Sequence, residues 1–111
     1  MKIYFRTKKL QKECSETREM LKKHGAKRAG KLQQRLMELK AANTLEEISH
    51  LPPPRCHELT GNHAGKFSVD LDHPYRLLFI PANEPVPTMD DGGIDRGKVT
   101  EIEIVSITDT H

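Results

Sequence analysis

The sequence predicts an α+β fold in a single domain that spans residues 1–111. Two helices are expected to pack on a small antiparallel sheet of about four to five strands. Apolar residues recur at helical spacing through residues 8–42, whereas apolar and polar residues alternate after residue 66, as they do in half-buried strands. A chain of 111 residues builds one hydrophobic core, which excludes a second domain or a large internal cofactor cavity.

The N-terminal third predicts a short strand followed by two helices. Ile3 and Phe5 alternate with Tyr4, as expected for a strand. A helical stripe follows at Leu10, Cys14, Thr17 and Leu21. After a turn at Gly25, the stripe resumes at Ala29, Leu32, Leu36 and Leu39. Helices this polar are marginal in isolation, so their apolar faces must pack on a sheet.

The remainder predicts a linker and an antiparallel meander. A capping-box pattern at residues 44–47 starts a short helix, and the three prolines at 52–54 prevent its continuation. Strands are expected at residues 67–72, 75–80 and 99–107. The 18 residues 81–98 show no periodicity, and we interpret them as a structureless excursion rather than a functional loop.

The net charge of +2 hides a strong segregation along the chain. Residues 1–42 carry a net charge of +9, and residues 43–111 carry −7. Such a basic helical half is expected of a protein with a polyanionic partner, and nucleic acid is the first candidate. The alternative is that Lys and Arg simply solvate two amphipathic helices, and composition does not decide between these interpretations.

Several protein classes are excluded by the same composition. The longest apolar stretch, residues 77–81, is far shorter than the roughly 20 residues of a membrane span. The N-terminus carries no apolar signal region, so we expect a cytoplasmic protein. Cys14 and Cys56 lie in neither a CxxC motif nor a zinc-ligand spacing, and we interpret them as ordinary thiols.

Histidine is the side chain that both gives and takes a proton near neutral pH, and the chain has six of them. His24, His50 and His73 lie at expected helix ends or in a turn and are interpreted as structural. The candidates for chemistry are therefore His57, His63 and His111.

A catalytic group arises if the strand that begins near Arg55 lies beside the last strand. His57 would then meet Asp109 and His111 at one rim of the sheet, and Arg76 would project from the neighbouring strand. Two imidazoles, a carboxylate and a guanidinium suit RNA cleavage without a metal, in which a ribose 2′-OH attacks the adjacent phosphate. A zinc site at His57, His63, Asp109 and His111 matches no short ligand motif, so we expect no metal.

Three segments carry a resemblance to a known family. They are RCHELTGNHAGKFSV at residues 55–69, DHPYRLLF at 72–79 and VSITDTH at 105–111. Preceded by two helices, they make the chain resemble the HigB branch of the RelE/ParE-like toxin superfamily. These proteins are the toxins of type II toxin–antitoxin systems. The resemblance covers essentially the whole chain.

The resemblance implies a RelE-like fold related to microbial ribonucleases and ribosome-dependent cleavage of translated mRNA, without metal or cofactor. It also implies neutralisation by a HigA-like helix-turn-helix antitoxin. His57, Arg76, Asp109 and His111 match the family's catalytic positions. Thr60 replaces a basic residue of many members, and Thr110 replaces the aromatic residue of the terminal motif. The residues assigned to RNA binding are Arg55, Thr60, His63, Lys66 and Thr110 near the site, with Lys8, Lys12, Lys22 and Lys23 of the helices on rRNA.

In this interpretation one of His57 and His111 is the general base and the other the general acid. His111 is favoured as the acid because the terminal carboxylate stabilises its protonated form. Asp109 would fix an imidazole tautomer, and Arg76 would stabilise the phosphorane. Two alternatives stay open: a ParE-like protein that inhibits gyrase, and a non-toxic member that acts only in an antitoxin complex.

Overall fold

The computed structural model describes residues 1–109. Thr110 and His111, both assigned to the site by the resemblance, lie outside the described residues. Within residues 1–109, helices cover one face of a five-stranded sheet, so the predicted α+β class is confirmed. No helix in this part of the chain is both long and apolar enough to cross a bilayer.

The sheet has the strand order β1-β5-β4-β3-β2. The strands are β1 (Lys2–Phe5), β2 (His57–Glu58), β3 (Phe67–Asp70), β4 (Tyr75–Pro81) and β5 (Glu101–Asp109). From β2 to β5 each strand pairs antiparallel with its successor, as the meander prediction requires. β1 departs from the expected antiparallel sheet because it pairs in parallel with β5. A single alternating strand does not identify its partner, so only the fold shows this pairing.

The helical region contains α1 (Lys8–Ser15) and α2 (Thr17–Ala41). The hydroxyl of Thr7 accepts a bond from the Leu10 N–H at 3.0 Å and caps α1. The predicted break at Gly25 is confirmed, with φ of 77°, which only glycine adopts without strain. A second break at Glu16 shifts the buried stripe, so that Met20 is buried. The stripe predicted through Thr17 and Leu21 is therefore wrong at these two positions, which are exposed.

The core lies between the helices and the sheet. It joins Leu32 and Leu39 of α2 to Phe67, Phe79 and other strand residues in one cluster, and these four side chains are at most 1% exposed. Burying so much apolar area is the main force that holds marginal helices on a sheet. Arg35 of α2 is an exception within this core, because it is charged and only 2% exposed.

The segment expected to be structureless, residues 81–98, is ordered. Pro81 ends β4, Thr88 forms a bridge with Ile94, and a turn of 3-10 helix spans Arg96–Lys98. The Met89 N–H donates to the Gly93 carbonyl at 2.7 Å, closing a small hairpin. This segment therefore forms local structure around a turn at the glycine pair 92–93, which a search for apolar periodicity does not detect.

Candidate functional site

The sheet face opposite the helices carries the polar side chains. Leu77 and Phe79 of β4 belong to the core, so alternation places Arg76 on the other face. The register sets Arg76 opposite Asp70 of β3 on one side and Thr108 of β5 on the other. Directly opposite residues share a face in an antiparallel pair, so this polar row crosses three strands.

Asp70 lies between two arginines. Arg55 donates from Nε to Asp70 Oδ2 at 2.6 Å and from a terminal nitrogen to Oδ1 at 3.3 Å. The Arg76 Nε lies 3.6 Å from the same Oδ1. Asp70 raises the pKa of Arg55 by accepting its hydrogen bonds and by its charge. One carboxylate between two guanidiniums leaves a net charge of +1, which attracts an anion such as phosphate.

The backbone of Asp70 is fixed as firmly as its side chain. Its N–H donates to the Pro54 carbonyl at 2.8 Å. Its carbonyl accepts from the Nε of Arg35 at 2.7 Å. Arg35 also donates to the Pro53 carbonyl at 3.1 Å and pairs with Glu38 at 3.1 Å. The helix layer thus reaches through to the segments that carry Arg55 and Asp70.

His57 begins β2 and is half-buried. Its Nδ1 lies 3.0 Å from the backbone carbonyl of Arg55. A carbonyl only accepts, so Nδ1 carries the hydrogen, and the neutral ring keeps its lone pair on Nε2. This is the tautomer that a general base needs if Nε2 faces the substrate. A backbone group fixes the His57 tautomer, so Asp109 is not required for that ring.

Arg55 has an unusual backbone. Its φ of 45° lies in the left-handed region, which is uncommon for residues other than glycine, asparagine and aspartate. Bonds from the Arg55 N–H to the Leu51 carbonyl (3.1 Å) and from the Cys56 N–H to the Ser49 carbonyl (2.9 Å) hold this turn. The same turn aims the Arg55 carbonyl at His57 and the Arg55 side chain at Asp70, so one strained residue serves both groups.

The strand neighbours assumed for the catalytic group are wrong. β3 and β4 lie between β2 and β5, because each strand of the meander pairs with the next one along the chain. Asp109 lies opposite Tyr75, one position from the Arg76 row and therefore on the alternate face. His57 and Arg76 do share a face, two strands apart, with about 12 Å expected between their Cα atoms at ordinary strand spacing.

Apart from Arg55, the residues assigned to RNA binding that fall within residues 1–109 lie at two places. Thr60, His63 and Lys66 belong to the β2–β3 hairpin, where the His63 N–H donates to the Thr60 carbonyl at 3.3 Å. Within residues 1–109, the buried Nδ1 of His63 has no hydrogen-bond partner. The lysines of the helices, Lys8, Lys12, Lys22 and Lys23, are all exposed. No group of three or more His, Cys, Asp or Glu side chains in the described chain is arranged to hold a metal ion.

Sequence reasoning missed Asp70 and Arg35. The alternation after residue 66 marks Asp70 only as a polar residue of a strand, and its position opposite Arg76 becomes visible only with the register. Arg35 had a readable signal, because it lies three residues after Leu32 and four before Leu39, within the apolar stripe. A charged residue at such a position is either misplaced or satisfied by buried partners.

Comparisons with known proteins identify the class of fold. The structure matches a YoeB/ParE toxin from Agrobacterium tumefaciens with a TM-score of 0.59 and 12% identity, over 100% of both chains. It also matches a YoeB-YefM complex from Staphylococcus aureus with a TM-score of 0.55 and 17% identity, over 100% of this chain and 98% of that one. The chain therefore has the fold of these toxins. No family model matches the sequence, and no curated protein matches it.

Proposed function

We propose that this protein is the toxin of a type II toxin–antitoxin pair and that it cleaves translated mRNA on the ribosome. The observation that carries the proposal is the 3.0 Å contact of His57 Nδ1 with the Arg55 carbonyl, which leaves the lone pair of the neutral ring on Nε2. His57 lies on the face that holds the Arg55–Asp70–Arg76 cluster. The likeness to toxins of the YoeB/ParE fold supports it. The HigB-type motif at residues 55–69 favours the ribonuclease within that fold.

In the proposed reaction, His57 Nε2 takes the proton of a ribose 2′-OH. The 2′ oxygen attacks the adjacent phosphorus, and the bond from phosphorus to the 5′ oxygen breaks. The products are a 2′,3′-cyclic phosphate and a 5′-hydroxyl, whose proton comes from a general acid. Arg76 and Arg55 stabilise the phosphorane, because their shared site keeps a net positive charge. His111 is the proposed acid, and Asp109, which lies on the alternate face of the sheet, has no role in this scheme.

The phosphate is expected to bind between His57 and the arginine pair. About 12 Å between the Cα atoms of His57 and Arg76 suits one phosphate, because an imidazole and a guanidinium each extend several ångströms from the backbone. The exposed lysines of α1 and α2 would dock on rRNA and supply affinity without sequence preference. The proposed cellular partner is a HigA-like helix-turn-helix antitoxin. One of the structural neighbours is itself a complex, that of YoeB with YefM.

The test is induction in growing cells, with mRNA mapped by primer extension. Wild type is expected to arrest growth and produce cuts in translated mRNA, and His57→Ala is expected to abolish both. His50→Ala is the matched control, since His50 is exposed and lies outside the cluster. Full toxicity of a folded His57→Ala variant contradicts the mechanism. Growth arrest with a DNA-damage response and intact mRNA would instead indicate the ParE-like gyrase inhibitor.

A further inference from the structure

We propose that Asp70 is a positioning residue that sets Arg55 and Arg76 at the spacing of one bound phosphate, and that Arg35 holds Asp70 from the helix side. The roles of Arg55 and Arg76 rest on the proposed function. The geometry of Asp70 and Arg35 does not, so the two ideas can fail separately.

Asp70 is held through both its side chain and its backbone. Its carboxylate takes both bonds of Arg55 and one contact from Arg76, while its N–H and carbonyl are bonded to Pro54 and Arg35. The Asp70 side chain is 25% exposed, so the Arg55–Asp70 ion pair is in contact with solvent but remains partly shielded from it. Because its side chain and its backbone are both held, the Asp70 carboxylate can orient the groups that bond to it.

Without Asp70 the Arg55 side chain would be free to move. The Arg55 side chain is 43% exposed, and ordering a free arginine side chain has a substantial entropic cost. A planar guanidinium bonded through two nitrogens to a fixed carboxylate is ordered before substrate arrives. Preorganised charges stabilise a transition state without further reorganisation.

Asp70 also lowers the net positive charge of the cluster. With Asp70 the cluster has a net charge of +1, and without it the same two arginines carry +2. Removing the carboxylate should therefore strengthen attraction for any polyanion while the arginines lose their geometry. This opposite effect on binding and turnover distinguishes a positioning residue from one that only supports the fold.

Arg35 holds the same region from the helix side of the sheet. It is 2% exposed and bonds the Pro53 and Asp70 carbonyls with separate nitrogens. Those carbonyls belong to the two segments that carry Arg55 and Asp70. The single guanidinium of Arg35 therefore fixes the distance between these two segments. A lysine keeps the charge, but its compact ammonium does not reproduce this planar two-point contact.

A matched control is available two residues away. Asp72 takes bonds from Arg28 at 2.9 Å and 3.4 Å, in the same two-nitrogen arrangement as Asp70 with Arg55. The Arg28 guanidinium lies 3.4 Å from the centre of the Tyr75 ring, on the helix side of the sheet. Asp72→Asn thus makes the same charge change and breaks the same kind of pair outside the candidate site.

The experiment compares Asp70→Asn with Asp72→Asn on ribosomes programmed with mRNA. Asp70→Asn is expected to lower kcat about tenfold to a hundredfold, with KM unchanged or lower, and Asp72→Asn to leave both near wild type. An equal loss in the two variants, or a raised KM with unchanged kcat in Asp70→Asn, overturns the proposal.

A second readout does not depend on cleavage. In ¹⁵N spectra, inorganic phosphate should shift the Nε–Hε signals of Arg55 and Arg76 in wild type but not that of Arg28. Asp70→Asn and Arg35→Lys should broaden the Arg55 and Arg76 signals even without phosphate, because the guanidiniums are no longer held. Equally sharp Arg55 and Arg76 signals in wild type and Asp70→Asn, or no phosphate shift in wild type, overturn the proposal. A wild type that shows these shifts but cuts no mRNA would refute the proposed function alone.

Discussion

Replacing Arg35 by methionine tests the account of the buried guanidinium. The substitution removes the bonds to the Asp70 carbonyl (2.7 Å) and the Pro53 carbonyl (3.1 Å), and Met has no donor to replace them. A buried acceptor without its donor costs about 1–3 kcal/mol. Glu38 is 35% exposed and can turn to water, so its lost ion pair adds little. Pro53 is exposed, so water can replace the donor at its carbonyl, and the Asp70 carbonyl carries most of the cost. We expect a loss of about 1–3 kcal/mol, a large part of the stability of a small domain.

Urea unfolding followed by circular dichroism measures this loss. The midpoint should fall while the m-value stays constant, because the surface exposed on unfolding hardly changes. Lys31→Met is the matched control, since Lys31 is exposed on the same helix, and its effect should stay within about 0.5 kcal/mol. A loss below about 1 kcal/mol in Arg35→Met would show that the two carbonyl bonds contribute no net stability.

Three further predictions concern other buried or strained groups. Burial raises the pKa of Cys14 to about 12 and that of Cys56 to about 11, from 9.0, so alkylation at pH 8 should be slowed about a thousandfold and a hundredfold. Burial lowers the pKa of His24 below 6.5, against the opposing pull of Glu13, so the free energy of unfolding should fall as pH drops below 6.5. Arg55→Gly should be more stable than Arg55→Ala, because glycine accepts the φ of 45°.

Each of these has a simple check. Mass spectrometry after iodoacetamide treatment reads the thiols, with urea-unfolded protein as the reactive control, and fast labelling of folded protein contradicts the burial argument. Urea titrations between pH 5 and 7.5 read the His24 effect, which His24→Gln should remove; an unchanged slope in that variant assigns the effect elsewhere. Equal midpoints for the glycine and alanine variants would show that the backbone at residue 55 carries no strain.

Sequence patterns predicted the elements of the fold better than their partners. The alternation at Phe67 and Val69 and the helical spacing of Leu32 and Leu39 reflect burial on one face, which each segment encodes locally. The parallel pairing of β1 with β5 depends on residues about 100 positions apart, and nothing within the four residues of β1 specifies it. The break at Glu16 carried no glycine or proline to mark it.

The site was predictable in part. His57 and Arg76 were selected as candidates from their residue types and the resemblance, and the register places them on one face. Asp70 was missed because its role comes from Arg55, 15 residues earlier, and from a neighbour across the sheet. The tautomer of His57 depends on the left-handed backbone conformation of Arg55. Arginine rarely adopts this conformation, so no local sequence pattern predicts it.

The most direct test of the central claim is the chemistry of the mRNA ends. Ribosomes programmed with mRNA are incubated with the protein. The mRNA fragments are then treated with a polynucleotide kinase and labelled phosphate, without prior phosphatase treatment, to find out whether their 5′ ends accept the label. Attack by the 2′-OH predicts 5′-hydroxyl ends that are labelled directly, and no fragments with His57→Ala. Fragments that carry 5′-phosphates, or mRNA that stays intact with wild type, would contradict it.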